Sequence, residues 1–256
     1  MAVYITGDIH GEPTRFSIDN FSEQRKFSDD KDENIVIIAG DFGLIWDREK
    51  ESKEEKYWLK WFEEKNYTTV FVDGNHENFE RLNHYPVVKW HGGNVHVIRP
   101  NLLHLMRGEI FDMEGKKFFT FGGASSHDIS DGILDFDDEG WKNKAKALEK
   151  RGKYLYRVKG LSWWENELPT PEEMKNGIRS LNVVNHKVNY IITHCPPQSI
   201  MELFDNYTYS KDYLTVYLEK IKEETEYDKW IFGHMHENKQ IDDKHICLYE
   251  QIIRLL

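Results

Sequence analysis

Ala2-Val3-Tyr4-Ile5-Thr6-Gly7-Asp8-Ile9-His10-Gly11 is the stretch on which the fold turns. The β-branched and aromatic run from Ala2 to Ile5 reads as a buried strand, and Gly7 to Gly11 as the tight loop behind it. In an extended segment alternate side chains point the same way, so Asp8 and His10 would both reach one metal ion. Gly7 and Gly11 permit backbone shapes and close approaches that other residues resist. Taken alone, Asp-x-His is equally an ordinary pair of loop polars, the aspartate capping a helix. Its weight comes from the rest of the chain.

The same arrangement recurs. Ile35-Val36-Ile37-Ile38-Ala39 reads as a strand covered on both faces and stops at Gly40-Asp41-Phe42-Gly43. Thr69 to Val72 makes a third strand, ending in Asp73-Gly74-Asn75-His76-Glu77. Val188 to Ile192 leads to Thr193-His194-Cys195, and Trp230-Ile231-Phe232 to Gly233-His234-Met235-His236. Between them, helices are expected over Glu12 to Lys26, around Lys53 to Lys65, over Trp141 to Gly152, from Pro171 with Thr170 as N-cap, and over Asp212 to Glu226. Short runs between Val87 and Phe121, broken at His91-Gly92-Gly93-Asn94 and Glu114-Gly115, suggest antiparallel hairpins. Gly122-Gly123 then opens a long polar loop to residue 140, and Ile246 to Tyr249 and Ile252-Ile253 read as terminal strands. Alternating strands and helices make an α/β layer fold.

With 256 residues, 39% of them hydrophobic, the chain has the material for one sizeable core. No repeat or linker divides it, so residues 1–256 are expected to form one domain. The formal charge is −11, without a lysine and arginine block, which excludes the cationic footprint of stable duplex nucleic-acid binding. The two cysteines are too few for a disulfide framework or a thiolate cluster. Neither a signal peptide nor a membrane-spanning run is visible, so a cytoplasmic location is expected. Oligomeric state stays open.

Open α/β sheets place ligand sites at the carboxyl ends of their strands, so the five polar loops should gather at one rim. Asp8, Asp41, Asn75 and the imidazoles of His10, His194, His234 and His236 would then form an oxygen-and-nitrogen site for one or two divalent transition ions. In this order the blocks resemble the calcineurin-like metallophosphoesterases: Gly-Asp-x-His at Gly7–His10, Gly-Asp at Gly40–Asp41, Gly-Asn-His-Glu at Gly74–Glu77, a later histidine at His194, and Gly-His-x-His at Gly233–His236. The resemblance implies a two-sheet β-sandwich flanked by helices and a dinuclear metal centre. It assigns Asp8, His10 and His236 to one ion, Asp41 to the bridge, and Asn75, His194 and His234 to the second ion. His76 matches the catalytic histidine, expected to act as general acid. The ions are expected to be Mn first, with Fe, Zn or Co as alternatives, and they would lower the pKa of a bound water to about 7, generating hydroxide.

One block departs from the family's Ser/Thr protein phosphatases, which continue Gly-Asp-x-Val-Asp-Arg-Gly. Here the chain runs Gly40-Asp41-Phe42-Gly43-Leu44-Ile45-Trp46-Asp47. The carboxylate partner of the catalytic histidine is displaced, with Asp47 or Asp73 as substitutes, and the phosphate-gripping arginine is missing. Glu77, in contrast, fits that branch. Small or nucleotide-type phosphomonoesters or phosphodiesters are the expected substrates. A protein phosphatase, or a binding scaffold that has lost catalysis, are the alternatives. Arg15, Arg81, Ser126 and Asp128 are candidates for the substrate rim. Trp163-Trp164 reads as helix or core packing, with base stacking as the other option.

Overall fold

In the computed structural model, residues 2–204 and 211–256 are described. In chain order β1 (Ala2–Thr6), β2 (Asn34–Ile38), β3 (Thr68–Phe71), β4 (Val87–Trp90), β5 (Gly93–Arg99) and β6 (Leu102–Leu105) belong to a first sheet. The chain then crosses to a second sheet with β7 (Glu109–Met113) and β8 (Lys116–Phe121). A separate parallel pair follows, β9 (Gly132–Asp135) and β10 (Tyr156–Lys159). The second sheet resumes with β11 (Tyr190–Thr193), β12 (Lys229–Phe232), β13 (Lys239–Gln240) and β14 (His245–Cys247), and β15 (Ile253–Arg254) returns to the first. Strand orders are β15-β1-β2-β3-β6-β5-β4 and β13-β14-β12-β11-β8-β7.

Period-two alternation sorts the side chains into layers. Val3, Ile5, Ile35, Ile37 and Val70 of the first sheet meet Phe111, Phe118, Ile192 and Ile231 of the second in the central core. The alternate residues Tyr4, Val36, Ile38 and Phe71 face outward onto Leu59 and Phe62 of α1 (Lys53–Glu63). On the far side Phe119, Phe121, Ile191 and Trp230 pack on Leu181 of α4 (Pro171–Val183) and on Leu214, Leu218 and Ile221 of α6 (Tyr213–Glu224). The helices thus flank two stacked sheets, as expected. Short helices α2 (Phe79–Leu82) and α5 (Gln198–Met201) follow the third and fourth polar loops, and α3 (Trp141–Glu149) lies beside β9. Thr170 and Asp212 cap α4 and α6 through reciprocal capping boxes. Among the described residues no helix is long and apolar enough to cross a membrane.

β1, β2 and β3 run parallel, as do β8, β11, β12 and β14, so the carboxyl ends within each set share an edge. That edge carries the site.

Two expectations fail. The helix over Glu12 to Lys26 is two 3-10 turns, Pro13–Phe16 and Ser22–Lys26. Phe16 and Phe21 are both buried, and a continuous helix would turn five residues about 140° apart, so one ring would leave the core. Gln24 instead donates to the carbonyls of Phe16, Ser17 and Phe21, closing the gap. The long polar loop from 122 to 140 contains β9, whose partner β10 shows no apolar run. The hairpins at His91-Gly92 and Glu114-Gly115 form as read, each with positive φ at both turn residues.

Candidate metal centre

The four loops after β1, β2, β11 and β12 meet around two buried carboxylates. Asp8 accepts the His234 backbone N–H on both oxygens, each at 3.1 Å. Its Oδ2 lies 3.2 Å from His236 Nε2 and 3.8 Å from His10 Nε2. Asp41 Oδ2 lies 3.7 Å from His10 Nε2, while its Oδ1 lies 3.4 Å from His194 Nε2. The ligand-type atoms of Asp8, His10, Asp41 and His236 fall within 4.8 Å of one another, a group that can hold a metal ion. Asp41 therefore faces His10 with one oxygen and His194 with the other.

The second cluster is recognised by what its atoms lack. Asn75 Oδ1 and His194 Nε2 are buried, and neither has a hydrogen-bond partner. Their other atoms are fixed. His194 Nδ1 donates to the Ala39 carbonyl at 2.9 Å, which leaves the lone pair on Nε2. Asn75 Nδ2 reaches Ser126 Oγ at 3.4 Å, and Ser126 Oγ donates to Glu167 Oε2 at 2.6 Å. The His234 ring packs against His194 with centroids 4.9 Å apart. An oxygen and nitrogen donor set without thiolates suits a divalent transition ion, and orphaned acceptors are what a bound cation would satisfy.

Electrostatics point the same way. The Asp41 and Asp8 carboxylates overcome burial and push the His194 pKa up to about 10, the effect of a negative field that would also attract a cation. Burial dominates at His10 and His234, whose pKa values fall.

The local backbone is not the extended one that the spacing suggested. His10, Asp41, His234 and His236 all have positive φ, between 44° and 64°. The pair in Gly233–His236 consequently diverges. His234 is buried beside His194, whereas His236 stays half-exposed between Asp8 and Tyr249, whose ring stacks on it at 4.8 Å. The loops also interlock. Ile9 and His10 N–H donate to the Asp41 carbonyl, and the Glu77 carboxylate accepts from Phe42 and Gly43. A Cβ on Gly74 would lie 2.6 Å from Asp41 N, and one on Gly233 would lie 2.7 Å from the Ala39 carbonyl oxygen.

His76 sits on this assembly. Its N–H donates to Asp41 Oδ1 at 2.9 Å, and its ring lies edge-on to His10 and stacks on Trp46. Neither Asp47 nor Asp73 partners the ring: the Asp73 carboxylate is held by His104 and Arg107. The atom facing His76 Nε2 is Nη2 of Arg157, at 3.1 Å. Burial, aided by the neighbouring Arg157, lowers the His76 pKa to about 4. Arg157, on β10, was missed by sequence reasoning. The four residues Tyr156-Arg157-Val158-Lys159 show no alternation in burial and are too short a run to stand out.

The four rim candidates are occupied by other partners. Arg81 binds both oxygens of Glu55 at 2.9 Å and the Asp47 carbonyl, tying α2 to α1. Arg15 donates to Thr6 Oγ1 and to the Tyr249 carbonyl. Ser126 orients Asn75, and Asp128 accepts from Arg157 Nε at 2.6 Å. Trp164 is buried against the first sheet's outer core and edge-on to Trp46, the packing role expected. Cys195 and Cys247 are buried, unpaired thiols.

A family model described as Calcineurin-like phosphoesterase matches residues 1–238, from the first strand through the Gly233–His236 loop. No curated protein matches the chain in direct sequence comparison.

Proposed function

This chain belongs to the calcineurin-like phosphoesterase family, hydrolases of phosphoric esters, and from that premise we propose that the cluster around Asp41 is a two-ion site for phosphomonoesters or phosphodiesters of small or nucleotide-type substrates. The observation carrying the proposal is the pair of unpartnered buried atoms, Asn75 Oδ1 and His194 Nε2, the second 3.4 Å from the Asp41 oxygen that faces away from His10. An unpaired buried acceptor costs about 1–3 kcal/mol, a cost that a bound cation would offset on these two neighbouring loops. Asp8, His10 and His236 would hold one divalent ion, Asn75, His194 and His234 the other, and Asp41 would contact both. When bound, such ions polarise phosphoryl oxygens and make water nucleophilic near neutral pH.

The protein's own residues fix this arrangement before substrate arrives. The Ala39 carbonyl sets the His194 tautomer, Ser126 aims the Asn75 amide, and the His76 N–H holds one Asp41 oxygen. In hydrolysis the ester P–O bond breaks, water supplies the new P–O bond, and a proton passes to the departing oxygen. His76 is the ring we assign to that oxygen. With Nε2 accepting from Arg157, the neutral ring carries its proton on Nδ1 and would donate a hydrogen bond to the departing oxygen, while the proton that ends there is the one released by the attacking water. Manganese is our first choice of metal and the cytosol our choice of compartment.

A protein phosphatase is the weaker reading, because the second block lacks that branch's aspartate and arginine; a non-catalytic scaffold would not need every ligand position filled. The test is a panel of aryl mono- and diesters, linear and cyclic nucleotides and a phosphopeptide, run in Mn²⁺ against a chelated control. Metal-dependent turnover of the small esters above the phosphopeptide is the expected result. Turnover that survives complete chelation would overturn the two-ion reading.

A further inference from the structure

The second block supplies no arginine to grip a phosphoryl group, and Arg15 and Arg81 are bound elsewhere. Arg157 reaches the centre from a different part of the chain. Its side chain is nearly buried, and each nitrogen has a partner: Nε donates to Asp128 Oδ1 at 2.6 Å, Nη1 to the Ser162 carbonyl at 3.0 Å, and Nη2 to His76 Nε2 at 3.1 Å. A guanidinium has five N–H bonds, so these three contacts leave two donors, one on each Nη, in the planar fork that matches an oxyanion.

The mounting is rigid. Arg157 lies opposite Ile133 in the β9–β10 pair, and behind it Val158 closes a tight turn. The Val158 carbonyl receives the N–H groups of Leu161, Ser162 and Trp163, and Ser162 Oγ accepts from Val158 N. Trp163 donates onward to Glu167, the carboxylate that also holds Ser126 and through it Asn75. One segment thus positions both Asn75 and Arg157. The ion pair with Asp128 would suffice if Arg157 only stapled this segment to the core, but it does not account for the donor aimed at His76. A neutral imidazole is a weaker acceptor for that donor than an oxyanion, whose charge-assisted bond is about twice as strong.

We propose that Arg157 is a substrate-binding residue: its fork holds a phosphoryl oxygen of the ester and of the product phosphate, in place of the arginine absent from Gly40–Asp47. Asp128 and the Ser162 carbonyl are its positioning partners. This rests on reading the Asp41 cluster as a phosphoesterase centre.

The test is equilibrium titration of inorganic phosphate into Mn²⁺-loaded protein, with metal content measured in parallel, for the wild type and for Arg157→Ala, Arg157→Gln, Arg157→Lys and Asp128→Asn. Arg157→Ala and Arg157→Gln should weaken phosphate binding at least tenfold and kcat/KM on an aryl phosphate at least a hundredfold, with metal content unchanged. Lysine should fall between, since it restores the charge without the fork. Added guanidinium should return part of the activity to Arg157→Ala, a rescue that a packing role would not show. Phosphate affinity within twofold of wild type in Arg157→Gln, with both ions retained, would overturn the proposal and leave Arg157 a staple. Should Arg157→Ala fail to fold, Arg157→Gln decides, because its amide can still bond to Asp128. If phosphate binding depends on Arg157 while the wild type hydrolyses no ester, the oxyanion site stands and the hydrolase reading falls. If the wild type turns over and the variants match it, the reverse holds.

Discussion

Replacing Gly74 by alanine tests whether the centre is as tightly interlocked as the geometry demands. A methyl group at 74 would lie 2.6 Å from Asp41 N and 2.7 Å from Asp41 Cγ, where ordinary contact begins near 3.4 Å. The closest overlap is with Asp41 Oδ1, so the carboxylate would have to retreat by about 1.4 Å, and the backbone beneath it cannot, because the Asp41 carbonyl already receives two N–H groups. Retreat would break the 2.9 Å bond from the His76 N–H, a charge-assisted contact of about 1.5–3 kcal/mol, and overpacking adds about 1–3 kcal/mol. For a chain of this size the combined loss corresponds to a fall in Tm of roughly 5–20 °C. Activity should suffer more, since misplacement of about 1 Å costs on the order of 10²-fold. The measurements are thermal unfolding, metal content and ester turnover, beside Gly115→Ala, where nothing lies within 4 Å and only the positive φ is strained. Gly74→Ala with two ions bound and turnover within threefold of wild type would refute the packing account.

Three further outcomes are expected. Asp41→Asn keeps the shape but loses the charge that faces His10 and His194; turnover should vanish and metal content fall, with Tm nearly unchanged, and full activity would exclude the bridging role. Ser126→Ala frees the Asn75 amide to rotate, and metal affinity should drop about 10- to 100-fold while the fold holds; an unchanged metal titration would show that Ser126 does not orient Asn75. His96 is buried against His104, and burial lowers its pKa from 6.5 to about 4. The unfolded chain therefore binds its proton first, so the His96 contribution is complete above about pH 6.5 and fades as pH falls toward 4. Between pH 7 and 5 the loss should be about 2 kcal/mol in urea unfolding, and His96→Gln should remove it; an identical pH slope in that variant counts against the shift.

The polar blocks that converge around Asp41 were legible because metal chemistry restricts residue type, and because each block sits where an apolar run stops. Gly40-Asp41 and Gly233–His236 needed no tertiary information. What stayed hidden depends on pairing between distant segments. His96 and His104 meet because β5 and β6 pair antiparallel with that register, and nothing in either strand announces the other. Arg157 reaches His76 through the β9–β10 pair and a turn, in a stretch whose short strands lack a hydrophobic signature. The helix over Glu12 to Lys26 failed for a related reason: local propensity was overruled by two aromatic rings that the first sheet's outer core required. The rim candidates all have partners within the fold, because polar residues in a loop are as easily second partners as first ones. Ser126 and Asp128 do stand beside the centre, but behind Asn75 and Arg157.

The backbone carries an independent argument for function. His10, Asp41, His234 and His236 occupy the left-handed region, where a non-glycine residue costs about 1–3 kcal/mol. The turn residues His91, Glu114 and His186 share this conformation, so what distinguishes the site is that His10, Asp41 and His236 adopt it within reach of one another. The loops accept the strain because each is fastened by another: His10 by the Asp41 carbonyl, the Asp41 loop by Glu77, and His234 by Asp8. Fastening of this kind keeps two carboxylates and three imidazoles within reach of one another, an arrangement that repels itself when every imidazole is neutral and both carboxylates are charged. Strain at His10, Asp41, His234 and His236 and unpaired atoms at Asn75 and His194 fall on loops that meet around Asp41, where a bound divalent cation would satisfy the unpaired atoms and offset the carboxylate repulsion.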